Sequence, residues 1–245
     1  MILAVDIGNT ATKFGLFDGD ILTSKFSIAT KHNSSANDIR LAVGDRLAHA
    51  VDSAIVCSVV PDLRQPMGSF LGEVCDLDPI FVENSFDFGL KVNYDPLDSL
   101  GTDRLVCACA AVELYDAPVI ICGMGTATTI DVVNADREFV GGVIAPGMDV
   151  LGDALHLKAP RLPCVEVARP DSIIGSSTAG SIGSGIYYGY VSMVEGLIER
   201  LRTESGVAKV IGTGGNALRL ANEFAGMMTV DPDLLLRGLI RLCKP

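Results

Sequence analysis

Tryptophan is missing from this chain of 245 residues, and aromatic side chains make up only 6% of it. Its core must therefore be packed mostly from Val, Ile, Leu and Ala. Hydrophobic residues reach 49%, enough for one large domain or two small ones. Histidine is nearly absent: His32, His49 and His156 stand far apart, and each is better explained by a structural role than as a ligand. Basic residues are scarce, 19 Lys and Arg against 30 Asp and Glu, for a formal net charge of -11. Such a surface offers no basic footprint for nucleic acid. A phosphate-bearing ligand would have to be held locally, by backbone N–H groups, a few cations or a metal. No apolar run approaches the roughly 20 residues that span a bilayer. The opening Met1–Asp6 is too short, and too soon interrupted by a charge, for a signal peptide. The expectation is a soluble cytoplasmic protein without a membrane partner.

The seven cysteines, Cys57, Cys75, Cys107, Cys109, Cys122, Cys164 and Cys243, are odd in number and scattered, unlike a disulfide framework. Most sit in apolar runs and read as small buried hydrophobes in a reducing compartment. Cys107-Ala108-Cys109 is too tight a pair for a usual zinc site, and no histidine cluster accompanies it.

Glycine, by contrast, is plentiful at 26 residues. Ile2–Val5 is an apolar run that stops at Asp6-Ile7-Gly8-Asn9-Thr10. Thr12–Phe17 follows, then the turn Asp18-Gly19-Asp20 and a third strand over Ile21–Ile28, an antiparallel meander. Helical spacing runs over 36–50, with Ile39, Val43, Leu47 and Val51 on one face. Strands are expected over 53–60 and 80–82, a short helix within 62–75, and a loop around Asn93, Pro96 and Asp98. A helix over 102–114 starts near Gly101. A new block opens at Pro118, with strands over 119–122, 128–133 and 139–145 and a helix through Leu151 and Leu155. A long glycine-bearing helix over 177–204 and a strand over 209–211 follow. Two helices, near 217–225 and 231–242, close the chain. Asp6-Ile7-Gly8-Asn9-Thr10-Ala11-Thr12 aligns with Gly123-Met124-Gly125-Thr126-Ala127-Thr128-Thr129, which suggests one strand–glycine-turn–strand unit opening each half.

A hairpin of this kind can present N–H groups and hydroxyls to a phosphate. Gly8 permits close approach, Thr10 and Thr12 add hydroxyls, and Lys13 adds charge. Asp6 would repel a phosphate unless Mg²⁺ lies between them, bound directly or through water. Taken alone, the segment reads equally as a tight turn with an Asx-type hydrogen bond. Two such loops facing each other would clamp a polyphosphate, with Thr126 acting on the same nucleotide. Thr213-Gly214-Gly215-Asn216 could lie under a base or ribose, or simply punctuate a strand–helix junction. Gly101-Thr102-Asp103-Arg104 joins an acid to a guanidinium at a helix start. Asp103 could take a proton from an attacking hydroxyl, and Arg104 could bind a carboxylate in bidentate fashion. The plainer reading is a capping Asp beside a surface Arg.

Together with Pro61-Asp62, Tyr94-Asp95-Pro96, Gly125–Asp131, Gly141–Gly147, Gly185–Gly189 and Thr213–Gly215, these segments resemble the type III pantothenate kinase family over nearly the whole chain. That family belongs to the sugar kinase, heat-shock chaperone and actin superfamily. The resemblance implies an α/β fold of duplicated ribonuclease H-like (actin-like ATPase) domains of βββαβαβα type, residues 1–115 and 116–245, with mixed central sheets flanked by helices. It implies a cleft between the domains and a homodimer. It implies ATP along Asp6, Ile7, Gly8, Asn9, Thr10, Ala11, Thr12 and Lys13 and at Thr126, with Mg²⁺ at Asp6 through water. It implies a pantothenate pocket from Tyr94, Gly101, Thr102, Asp103, Arg104 and Thr178, with Asp103 as proton acceptor and 4′-phosphopantothenate, the first intermediate towards coenzyme A, as product. One position departs from the pattern. Gly123 stands where family members usually carry an Asp that binds a monovalent cation such as K⁺ or NH₄⁺, and a residue with no side chain supplies no such ligand. Two rivals follow: a ligand-binding or regulatory protein on the same scaffold, suggested by Gly123, and a kinase for another small hydroxylated acid or sugar.

Overall fold

The computed structural model describes residues 1–47, 51–76 and 78–243, apart from the side chains of Val74 and Cys75. His49 and the end of the helix expected over 36–50 lie outside the described residues. The chain forms two compact units, Met1–Tyr115 with Asp233–Pro245, and Asp116–Pro232.

In the first unit β1 (Ile2–Ile7), β2 (Ala11–Asp18) and β3 (Ile21–Ala29) form the expected meander. Helix α1 (Ala36–Val43) follows, then β4 (Ser53–Ser58), α2 (Arg64–Cys75), β5 (Ile80–Phe81), the short β6 (Lys91–Val92) and α3 (Thr102–Tyr115). The strand order is β3-β2-β1-β4-β5, with β4 and β5 parallel to β1. Central β1 is buried from Leu3 to Ile7, which is why it reads as a continuous apolar run rather than an alternating one. One face of the sheet packs Leu3, Val5, Phe14 and Val56 against Ile39, Val43, Met67 and Phe70 from α1 and α2. Ser35 caps α1 in a reciprocal pair with Asp38.

The second unit repeats the plan. It contains β7 (Val119–Met124), β8 (Ala127–Val133), β9 (Glu138–Pro146), α4 (Met148–Lys158), α5 (Thr178–Ser205), β10 (Val210–Thr213), α6 (Gly215–Arg219) and β11 (Thr229–Val230). Five strands of the six-stranded sheet run β11-β10-β7-β8-β9, the same order and sense as the first sheet read from the other edge. The core is built on α5, whose Tyr190, Val194 and Ile198 pack with Ile120, Cys122 and Ile130 of the sheet. Ser177 caps α5 at one end, and left-handed Gly206 (φ 72°) closes the other.

The structure departs from the sequence expectations at three places. Helix α7 (Leu234–Cys243), expected in the second half, belongs to the first unit, where it packs on α3, β1 and β4. Two features draw it there: Gly238 lets α7 approach so closely that a Cβ would lie 2.7 Å from the Val106 carbonyl oxygen, and Asp233 binds the Lys25 ammonium at 2.8 Å. The helix expected over 217–225 is the short α6 followed by turns. The alignment of the two opening hairpins also slips after the turn. Gly8 N–H donates to Ala11 across two intervening residues, and Gly125 N–H donates to Ala127 across one. In the strand register Thr12 opposes Ile7 as Thr128 opposes Met124. Asp6 therefore corresponds to Gly123, and Lys13 to Thr129.

Candidate active site

Asp6 lies at the end of the central strand, opposite Lys13 on one side and Cys57 on the other. It is only 7% exposed, and its carboxylate sits 3.5 Å from the half-exposed Lys13 ammonium. Burial pushes its pKa up to about 6; Lys13 pulls it down, and the nearby Asp103 carboxylate pushes it up again. The first unit alone thus brings together the acid of the hairpin and the acid of α3.

Asp103 is the second residue of α3 and folds back over the helix start, where Oδ1 accepts the Arg104 N–H at 3.0 Å. A Cβ at Gly101 would lie 2.5 Å from that oxygen, so any other residue there would push the carboxylate aside. Burial raises the Asp103 pKa, against the pull of the Arg104 N–H and guanidinium. Arg104 is itself buried; its Nη1 donates to the Tyr94 hydroxyl at 3.4 Å, and its guanidinium carbon lies 5.4 Å from the Tyr94 ring centre. The Cys57 thiol is pushed well up, chiefly by burial and then by Asp6, Asp103 and Cys107. It forms a neutral wall beside the two acids.

The rest of the hairpin divides its labour. Ile7 is fully buried and can offer only its backbone. Thr12 is 2% exposed, and its hydroxyl shares a hydrogen bond with Thr30 at 2.9 Å, so it fixes the hairpin to β3 instead of facing outward. Thr30 N–H donates to Thr10 at 3.0 Å, while Asn9 and Thr10 sit exposed at the tip. Thr102 donates its hydroxyl to Asn84 at 3.0 Å. Asn84 was not singled out in the sequence, where it stands in an irregular stretch with no periodicity to mark it.

In the second unit, Thr126 forms the exposed tip of the β7–β8 turn. Its carbonyl accepts the Gly147 N–H at 2.9 Å, and a Cβ on Gly147 would collide with the carbonyl oxygens of Gly125 and Thr126. Gly214, at φ 92°, lies so close to β7 that a Cβ would meet the Met124 oxygen at 2.6 Å. Three glycine-bearing segments therefore pack backbone to backbone at the end of β7, leaving a surface that a ligand can approach closely. Thr178 is the first residue of α5, on an open groove of about 990 Å³ floored by Leu151, Leu155 and Ile182.

Two ions are implied by the resemblance, and the residues fit only one of them. For Mg²⁺, a buried acid with a second acid in electrostatic reach is a fitting partner, because this ion usually takes one or two carboxylates plus water and phosphate oxygens. The monovalent-cation position does not fit. Gly123 has no side chain, and a Cβ there would lie 2.8 Å from Thr129 Oγ1, so a threonine hydroxyl fills the space where a carboxylate would begin.

Two mixed sheets of one topology, each opened by a hairpin with a glycine turn, define the actin-like ATPase and sugar-kinase fold. A ROK family glucokinase from Streptomyces griseus, solved with glucose and AMPPNP, shares that fold: TM-score 0.57 at 12% identity, covering 98% of both chains. The family model described as type III pantothenate kinase matches residues 2–200. The type III pantothenate kinase of Geobacillus sp. (strain WCH70) is 38% identical, over 98% of this chain and 95% of its own. That of Halalkalibacterium halodurans is 35% identical, over 100% and 99%. The chain belongs to the type III pantothenate kinase family.

Proposed function

We infer that this chain transfers the γ-phosphate of ATP to the hydroxyl of pantothenate, giving 4′-phosphopantothenate and ADP. Full-length similarity to type III pantothenate kinases carries the reading. The Asp6–Asp103 pair supports it from the side of chemistry.

Asp103 takes the proton of the pantothenate hydroxyl as its oxygen attacks the γ-phosphorus; the bond from that phosphorus to the β–γ bridging oxygen breaks, and ADP leaves. The raised pKa suits this role: burial makes the carboxylate a better base than a solvated Asp. Arg104, braced by Tyr94, is the partner for the pantothenate carboxylate, a match to the guanidinium fork. Asp6 is the residue that would hold Mg²⁺ through water, and the ion, when bound, supplies positive charge to the phosphate oxygens. Asn9, Thr10 and Lys13 are the hairpin groups placed for the phosphates. Thr126 and the glycine surface of the second unit are the groups for the remainder of the nucleotide, and Thr178 is a further pantothenate contact. We place the enzyme in the cytoplasm as a homodimer, consistent with the open apolar groove along α5; among the described residues no helix is long and apolar enough to cross a membrane. Catalysis proceeds without a monovalent cation at Gly123.

The test is steady-state ADP release with Mg²⁺-ATP and pantothenate. Turnover dependent on pantothenate is expected. Its absence across several monovalent salts would overturn the reading.

A further inference from the structure

The helix start that carries Asp103 and Arg104 is held from a distance by one side chain. Asn84, partly buried after β5, donates from Nδ2 to the carbonyl oxygens of Leu97 and Leu100, both at 2.8 Å, and accepts the Thr102 hydroxyl on Oδ1 at 3.0 Å. The amide orientation is fixed by chemistry, because only its NH₂ end can face two carbonyls. Both amide hydrogens and one oxygen lone pair are thereby used. The two carbonyls bracket the turn between Tyr94 and α3, and Thr102 directly precedes the acid. The local turn hydrogen bond from Leu100 N–H to Leu97 O also links the two residues.

We propose that Asn84 is a positioning residue for the kinase reaction, setting the placement of Asp103 and of the Tyr94–Arg104 pair against pantothenate. The proposal rests on the functional reading above. Asn84 touches neither reacting atom; it acts through Thr102 and through the Leu97–Leu100 turn. Displacing a positioned base by a fraction of an ångström to one ångström costs up to about a hundredfold in rate. The effect must fall on pantothenate, since the three bonds all lie on the segment that carries its proposed contacts.

The experiment compares wild type, Asn84→Ala and the isosteric Asn84→Asp, which keeps the acceptor for Thr102 and loses both donors. Kinetics against each substrate are combined with calorimetric titration of pantothenate and a melting curve for each protein. The expected result is a loss of about 10- to 100-fold in kcat/KM for pantothenate, weaker pantothenate binding, and a KM for ATP within about twofold of wild type. In a cycle of Asn84→Ala with Thr102→Val, the double variant should lose less than the product of the two single losses, because both single changes remove the same hydrogen bond. Wild-type kcat/KM in both variants would overturn the proposal. So would a loss that is equal for the two substrates and follows the fraction unfolded. If Asn84→Ala does not fold, the isostere carries the comparison. A wild type without pantothenate turnover, or an active Asp103→Asn, would instead strike at the functional reading, so the two failures are separable.

Discussion

The two hairpins share a strand plan and differ in chemical character. At equivalent places in the register the first carries Asp6 opposite Lys13, and the second carries Gly123 opposite Thr129. The first is a charged pair, with the acid buried and in the field of Asp103. The second is neutral, one residue tighter in its turn, and walled by Gly147 and Gly214 at contact distances that admit no Cβ. A strand end that must face a metal and transferring phosphate needs charge, and tolerates the cost of burying it. A strand end that must lie under a ligand needs the absence of side chains. The frame occurs twice, and on the proposed roles a few residues decide which task each copy performs.

The largest break in that comparison comes from the acid outside both hairpins. Asp103→Asn keeps the shape and removes the proposed proton acceptor, so kcat should fall by about 10²- to 10⁴-fold with little change in KM for ATP. Steady-state kinetics under saturating Mg²⁺ will show it. An activity within threefold of wild type would remove Asp103 from the mechanism.

Asp6→Asn sharpens the contrast by making the first hairpin neutral like the second. Activity should fall and the Mg²⁺ dependence flatten. Stability should move the other way. In the folded chain without ligands Asp6 has its pKa raised from 3.8 to about 6, so folding favours its protonated form. The adverse contribution is absent below the unfolded pKa and grows as pH rises, reaching its full size above the folded value near 6. By the usual conversion of pKa shift to free energy it is roughly 3 kcal/mol. Denaturant unfolding without nucleotide or metal should find the variant more stable than wild type at pH 7.5, with the advantage shrinking towards pH 4. A constant difference across that range would mean Asp6 is not strained by burial.

Gly214→Ala tests the second hairpin's neutral wall. The residue sits at φ 92° and its Cβ would press on the Met124 carbonyl, so a loss of about 1–3 kcal/mol in stability is expected. The KM for ATP should rise while that for pantothenate changes little. Equal effects on both substrates would argue against a nucleotide surface there.

Much of this was legible in the residues. The apolar runs, the glycine turns and the meander of each unit follow from local pattern, because central strands buried on both faces are continuous in hydrophobicity. The acids Asp6 and Asp103 stood out as charges where strands and helices end. What stayed hidden depends on long-range packing. Helix α7 has a strong apolar face, yet contacts far apart in sequence, such as the close approach at Gly238 and the Lys25–Asp233 pair, are what say which unit it covers. Thr12 looked like a phosphate donor, but its partner Thr30 is 18 residues away and takes the hydroxyl. Asn84 reaches residues 13 to 18 positions distant in a segment without periodicity. The single-residue difference between the two turns is invisible without the strand register.

The smallest expected effect is at Gly123 itself. With a carboxylate absent and its space taken by Thr129 Oγ1, position 123 offers no side chain to hold a monovalent ion. Replacing K⁺ or NH₄⁺ by Na⁺ or a bulky organic cation at constant ionic strength should therefore change the rate by less than about twofold, holding screening of the surface charges fixed. Gly123→Asp alone should not create cation dependence, since the new Cβ meets the threonine hydroxyl; paired with Thr129→Ala, which clears that hydroxyl, it should. A wild-type enzyme that stops without K⁺ would mean that other oxygens hold the ion, and that the second hairpin kept a charge-handling task its residues no longer display.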